Sequence, residues 1–356
     1  MPSILSVGTA VPPYEVAQQD SMHLSRELFE QAFPDIDRLL KIFASSQIRK
    51  RHFAVPLDWF TADHPFAEKN RLYLELAPAL CKQAIEACLQ RMDLALEQID
   101  CVVLVSSTGI ATPSLDAHLV SLLPFRENVT RIPLWGLGCA GGAMGLSRAA
   151  DYAKAYPESL VLLIAVELCS LTFIRSDLSK SNLVASALFA DGAAAVLIAG
   201  DRAKAADRNA SPALQFLGSR TTTWRDTLDI MGWELQQQGL RVLFSRDIPT
   251  LVRQKMGQNV EQFLSEFDSK LTQISQFIFH PGGTKVLDAY RDTLGLSQEQ
   301  IGLSEAVLNE YGNMSSPTVL FVLAKSMQKD WSARQYGLVS ALGPGFSSEL
   351  ILLEAR

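Results

Sequence analysis

The sequence predicts a layered α/β fold made of two similar halves. Three observations carry this expectation. Apolar segments of strand length alternate with segments of helical periodicity along the chain. A polar stretch from Asp201 to Ala213, DRAKAADRNASPA, interrupts the alternation and sets a boundary between residues 1–205 and 206–356. The two parts also close alike, the first on ADGAAAVLIAG and the second on GPGFSSELILLEA, turn glycines followed by an apolar strand.

The elements follow in order. A short strand is expected in ILSVGTAVP, then a helical stretch from about Ser21 to Ser46 with Leu, Phe and charge at helical spacing. Residues 54–70, AVPLDWFTADHPFAEKN, read as irregular. Leu72 to Arg91 reads as a helix with Cys81 and Cys88 on one buried face. CVVLVSSTG (Cys101 to Gly109) is a buried strand and TPSLDAHLVSLL a capped helix. RIPLWGLG is a second strand that runs into CAGGAMGLSRAADYAKAY, a helix rich in small residues. SLVLLIAVE (Ser159 to Glu167) is a third strand, and NLVASALFADGAAAVLIAG holds a further helix and strand. In the second half a helix from about Asp247 to Ser269 precedes the strand ISQFIFH. Helices in PGGTKVLDAY and MSSPTVLFVLAKSMQK follow, and the strands YGLVSAL and SELILLEA end the chain.

Composition narrows the function. Apolar residues make up 48% and charged residues 20% of the 356 positions, as in ordinary globular proteins. Apolar runs such as Leu160 to Val166 are far shorter than the roughly 20 residues of a membrane span. The N-terminus has no basic region before its apolar stretch, so it does not read as a signal peptide, and a cytoplasmic location without membrane insertion is expected. A net charge of −6 argues against nucleic acid as a general partner. IRKRH, Ile48 to His52, is a local basic run; it reads as a solvated face or as a site for an anionic ligand. Five cysteines and five histidines, without CxxC or HxxxH spacing, point to neither a disulfide framework nor a metal site.

Chemistry concentrates at three residues. Cys139 stands where a strand gives way to a helix, among Gly136, Gly138, Gly141, Gly142 and Gly145. Glycines permit a tight turn and close substrate approach, and a helix N-terminus favours thiolate. A small buried core residue is the bland alternative. The stretch also satisfies GxGxxG at Gly136, Gly138 and Gly141, with Glu167 ending the next strand, as a dinucleotide-binding oxidoreductase would. Against that, the motif is weak alone, comes late in the chain and holds a cysteine inside its turn. His280 ends a strand before Pro281, Gly282 and Gly283; it either projects above the sheet or bonds locally to backbone. Asn313, in YGNMSSPTVLFVL, is either a helix cap or an amide donor into the same pocket. A cysteine, a neutral histidine and an asparagine together suit thioester chemistry: the sulfur takes an acyl group and two donors stabilise an enolate oxyanion.

WGLGCAGGAMGLSRAADY, ADGAAAVLIAG, HPGG, YGNMSS and ALGPGF occur in that order. Together they resemble the type III polyketide synthases, the chalcone- and stilbene-synthase-like family, over nearly the whole chain. RIPLWGLGCAGG, ELCSLTF and DIMGW resemble the bacterial members that make alkylpyrones from fatty-acyl thioesters. The resemblance implies a thiolase-type, five-layered αβαβα fold, a homodimer, coenzyme A thioester substrates, and no cofactor or metal. It makes Cys139 the acyl carrier. His280 keeps the sulfur as thiolate and, with Asn313, binds the thioester carbonyl while malonyl-CoA loses carbon dioxide. Gly343, Pro344 and Gly345 shape the cavity wall.

The same resemblance puts Arg38 and Lys41 on the coenzyme A phosphates. A third basic position is Ser45 here, with Arg49 and Lys50 nearby as substitutes. Of two gatekeeper phenylalanines, one falls at Val242 and the other near Gln215 and Phe216. Cys169 replaces a cavity threonine, Thr172 matches the family, and Thr112 replaces a methionine that reaches the partner subunit's cavity. The smaller side chains imply room for a long aliphatic starter, extended by malonyl-CoA and cyclised to an alkylpyrone. The alternatives are a ketoacyl synthase III, which stops after one condensation, and a degenerate binding protein on the same fold.

Overall fold

The computed structural model describes residues 1–90, 92, 94–204 and 213–356, and the expected boundary at 205/206 lies outside them. The first half runs β1 (Ser3–Ala10), β2 (Tyr14–Ala17), α1 (Gln18–Phe29), α2 (Ile36–Ser45), β3 (Lys50–Phe53), α3 (Phe66–Leu89), β4 (Cys101–Val105), α4 (Leu115–Leu122), β5 (Thr130–Leu134), α5 (Gly141–Ala155), β6 (Leu160–Leu168), α6 (Lys180–Leu188) and β7 (Asp191–Ala199). The second runs β8 (Leu214–Thr223), β9 (Met231–Gln236), β10 (Gly239–Phe244), α7 (Ile248–Ser265), β11 (Ile274–Phe279), α8 (Thr284–Leu294), α9 (Gln298–Tyr311), α10 (Ser316–Ser326), β12 (Tyr336–Gly343) and β13 (Ser347–Ala355).

Several elements depart from the sequence reading for local reasons. The single helix expected over Ser21 to Ser46 is two, because Pro34 disfavours helical backbone at the residue before it. α3 starts at Phe66, inside the stretch read as irregular, where Pro65 supplies an extended N-cap. The β9–β10 hairpin, α9 and the β2–β3 pair were not anticipated. In β3 the basic run turns inward at Arg51, which is 1% exposed, so it is not a solvated face. Cys81 and Cys88 are fully buried in α3, as their spacing predicts.

The main sheet has the order β11-β12-β13-β8-β1-β7-β6-β4-β5. β1 and β8 meet at only two residue pairs, Ser3 with Gln215 and Ile4 with Leu214. The sheet thus divides into β5-β4-β6-β7-β1 and β11-β12-β13-β8. In the first, β4 and β6 are parallel while β7 and β1 run antiparallel to their neighbours. In the second, β11 and β12 are parallel while β13 and β8 run antiparallel. The halves share one topology, and a parallel pair needs a helical crossover: α5 closes one and α10 the other.

Apolar cores separate the layers. Alternate residues of a strand face opposite sides. Val102 and Leu104 of β4 pack with α3 and α4, whereas Val103 and Val105 pack with α5 and α10. On the second sheet Ile278 and Val339 join that same central core, while Phe277, Phe279 and Leu338 pack against α7 and α8. Helix, sheet, helix, sheet, helix is the five-layered αβαβα arrangement, with α5 and α10 in contact at its centre. Among the described residues, no helix is long and apolar enough to cross a membrane.

Candidate active site

The central layer brings together residues far apart in sequence. Cys139 lies in a 3-10 turn, Gly138–Ala140, that runs directly into α5. Asn313 lies just before α10, the counterpart of α5 in the second half. His280 follows the end of β11, the counterpart of β4.

The Cys139 Sγ is 3.9 Å from Asn313 Oδ1. That oxygen also accepts from the Ser315 N–H at 2.8 Å, and Asn313 Nδ2 donates to Gly282 O at 3.2 Å. The amide is therefore held between the thiol and the Pro-Gly-Gly turn. A carboxamide has two N–H donors, so one remains beyond the bond to Gly282. The backbone is fixed as well: Asn313 N donates to Leu188 O and Ala190 N to Asn313 O, both at 2.9 Å. These bonds form a parallel bridge between Asn313 and Phe189.

His280 is 4% exposed, and neither ring nitrogen has a protein partner. Its backbone N–H donates to Ser340 O at 2.8 Å. Burial pushes the imidazole down to about 3. Burial likewise pushes the Cys139 thiol up to about 11, the Ser315 hydroxyl lowering it and the Glu167 charge raising it further. Burial thus opposes the thiolate that the helix start favours, and it favours the neutral imidazole. A neutral imidazole can take the proton as the sulfur attacks.

Glu167 is fully buried and committed. Its Oε2 accepts from Ser107 N at 2.9 Å and Thr108 Oγ1 at 2.8 Å, and its Oε1 from Ser316 Oγ at 2.8 Å. Gly138 has φ +48°, and a Cβ there would lie 2.7 Å from Pro344 Cδ. The Gly343–Gly345 loop thus packs on the cysteine turn, where a phosphate would have to enter. With its acidic residue engaged and its glycine loop covered, the dinucleotide reading falls.

Beside this centre a pocket encloses about 650 Å³, counting the open space at its mouth. Of the expected substrate residues, Cys169, Thr172 and Val242 line it. Unanticipated walls come from Leu24 and Leu28 of α1, Leu57, Phe60 and Phe173. Leu24 and Leu28 are spaced i,i+4 on an amphipathic helix, a signal that ordinarily means core. Cys139, His280 and Asn313 are not in the pocket wall. They adjoin it through Phe189, which lines the pocket and is the bridge partner of Asn313.

Gln215 and Phe216 do not belong to the site. Both lie in β8; Gln215 pairs with Ser3 and Glu354, and Phe216 is fully buried in the central core. The aromatic that lines the pocket beside Asn313 is Phe189, two residues before Asp191 in ALFADGAAA. Thr112 is exposed, next to the cis peptide before Pro113, and does not line the pocket. Arg38 and Lys41 are exposed on α2, with Arg38 paired to Asp35. Lys50 is tied to Glu15 at 2.5 Å and Arg51 points inward, so of the basic run only Arg49 is exposed. Among the described residues no three His, Cys, Asp or Glu side chains converge as metal ligands.

Similarity to known proteins agrees with this geometry. The sequence profile for the N-terminal domain of chalcone and stilbene synthases matches residues 1–202, and that for their C-terminal domain residues 220–355. A Bacillus subtilis (strain 168) protein provisionally named a chalcone synthase is 44% identical, over 99% of this chain and 98% of its own. The 1,3,6,8-tetrahydroxynaphthalene synthase of Streptomyces peucetius subsp. caesius is 38% identical, over 99% of this chain and 92% of its own. The crystal structure of 1,3,6,8-tetrahydroxynaphthalene synthase from Streptomyces coelicolor A3(2), a bacterial type III polyketide synthase, superposes with a TM-score of 0.91. It is 25% identical and covers 99% of both chains. The chain belongs to the chalcone and stilbene synthase family and is a condensing enzyme of the type III polyketide synthase class.

Proposed function

We propose that this enzyme loads a long-chain fatty acyl group from coenzyme A onto Cys139, extends it with malonyl-CoA and cyclises the product to an alkylpyrone. The observation that carries the starter is the apolar pocket beside the nucleophile, with Val242, Leu24, Leu28, Leu57 and Phe60 in its walls. Burying methylenes there is favourable by about 0.8 kcal/mol each, so a long hydrocarbon gains more than a short one.

In the reaction, the Cys139 sulfur attacks the acyl thioester carbonyl as His280 takes the thiol proton. The coenzyme A thiolate leaves and recovers that proton. Malonyl-CoA then loses carbon dioxide, and the electrons of the broken bond form the enolate of an acetyl thioester. His280 and the remaining N–H of Asn313 hold its oxygen. The enolate carbon attacks the Cys139 thioester, and the cysteine sulfur leaves. No resident cofactor takes part.

Arg38 and Lys41 meet the coenzyme A phosphates. The enzyme works in the cytoplasm as a homodimer; Leu122 and Trp135 flank the edge strand β5 and are each 58% exposed, which supports a partner there.

The test is a ladder of acyl-CoA starters with malonyl-CoA, read by mass spectrometry. Long-chain starters should turn over best and give pyrones. A single ketoacyl thioester, turnover of short aromatic starters alone, or an aromatic product from malonyl-CoA alone would each replace the proposal.

A further inference from the structure

Arg51 is the one member of the basic run that turns inward, where its side chain also borders the acyl pocket. Its guanidinium donates from one nitrogen to Ser186 O and to Phe189 O, both at 2.7 Å. Those carbonyls belong to the end of α6 and the residue that caps it, where a cation is favoured. The ring of Phe53 lies 5.0 Å from the guanidinium carbon. Asp191, the nearest opposite charge, holds Ala54 N and Ser170 N at 2.7 Å each, so it is already engaged.

Both sides of the Asn313 backbone rest on this arginine. The bridging segment Leu188–Ala190 is anchored through the Phe189 carbonyl. On the other side Gly312 has φ +70°, and a Cβ there would lie 2.8 Å from Arg51 Cγ. The arginine stem fills the space beside Gly312 while its head fixes the strand across from it. Asn313 itself is fully buried, and its amide bonds to Cys139 on one side and Gly282 on the other.

We infer that Arg51 is a positioning residue for Asn313, holding the amide in register for the enolate oxygen. This rests on the proposed role of Asn313 in malonyl-CoA decarboxylation. Arg51 touches no reacting atom; its effect passes through Gly312 and Phe189. Misplacing a catalytic group by about 1 Å costs on the order of 100-fold in rate. Loading of Cys139 depends on the sulfur and His280 and draws on this anchor only through the contact of Asn313 with the thiol.

The experiment separates the two half-reactions in purified full-length protein. Malonyl-CoA decarboxylation is followed as acetyl-CoA formed, and Cys139 acylation by intact-protein mass after mixing with an acyl-CoA. Arg51→Met keeps the stem beside Gly312 and removes the guanidinium. It should lower decarboxylation kcat by about 10- to 100-fold, with KM for malonyl-CoA changed by less than about 3-fold and acylation, read with a short acyl-CoA so that the pocket wall is not tested, reduced far less than decarboxylation. Arg51→Lys keeps the cation without the two-carbonyl fork and should fall between; it is the variant read if Arg51→Met does not fold. Unchanged decarboxylation, or equal loss of both half-reactions, would overturn the inference. An Asn313→Ala control that still decarboxylates at the parent rate would instead overturn the role given to Asn313.

Discussion

The Cys139 thiol stands 3.9 Å from the Asn313 amide oxygen, across the contact between two helices that hold corresponding places in the two halves of the molecule. One helix start supplies the nucleophile and the other a donor, so the active site is the place where the internal repeat meets itself.

Cys139→Ala should therefore remove condensation altogether. Intact-protein mass spectrometry after exposure to an acyl-CoA should show no adduct, whereas the parent gains one acyl group. Continued polyketide output from the variant would displace Cys139 as the acyl carrier.

His280 has no protein partner on either ring nitrogen, and burial keeps it neutral. As the base for a thiol whose pKa burial raises, it should govern sulfur reactivity. Iodoacetamide labelling of Cys139 at pH 7 is expected to slow by roughly 100-fold or more in His280→Ala, the usual scale of general-base effects. An unchanged labelling rate would disconnect the imidazole from the thiol.

Val242 lines the pocket from β10, with 6% exposure. Phenylalanine there intrudes on the acyl chain, and overpacking costs about 1–3 kcal/mol. Val242→Phe should lower kcat/KM for the longest accepted starter by roughly 5- to 150-fold and spare short ones. A uniform loss across the ladder would place the pocket's selectivity elsewhere.

Glu167 gives a pH signature. Burial raises its carboxyl to about 7 from a usual 4.5, its hydrogen bonds opposing the rise. Between those values the folded protein keeps a proton that the unfolded chain has released, so stability falls as pH rises through that window. Glu167→Gln does not titrate. The parent should lose up to about 3 kcal/mol relative to the variant between pH 4.5 and 7.5, seen as a Tm difference that shifts by a few degrees. Parallel Tm curves would show that the carboxyl ionises normally.

The chain's order of elements was legible because burial imposes period: strands such as CVVLV and LVLLIAV are apolar throughout, and α3 repeats at helical spacing. Cys139, His280 and Asn313 could be named because glycine turns and helix starts are local features, written in adjacent residues. What the sequence could not determine was contact across distance. Phe189 and Phe216 are both phenylalanines in apolar stretches, yet one caps α6 and lines the pocket while the other lies in β8 and is core, since only tertiary pairing decides which layer each segment meets. The inward turn of Arg51 depended on carbonyls at Ser186 and Phe189 that lie more than a hundred positions away. The setting of the Cys139 thiol likewise depends on tertiary packing: local sequence supplied the helix start that favours thiolate, and burial supplied an opposing effect.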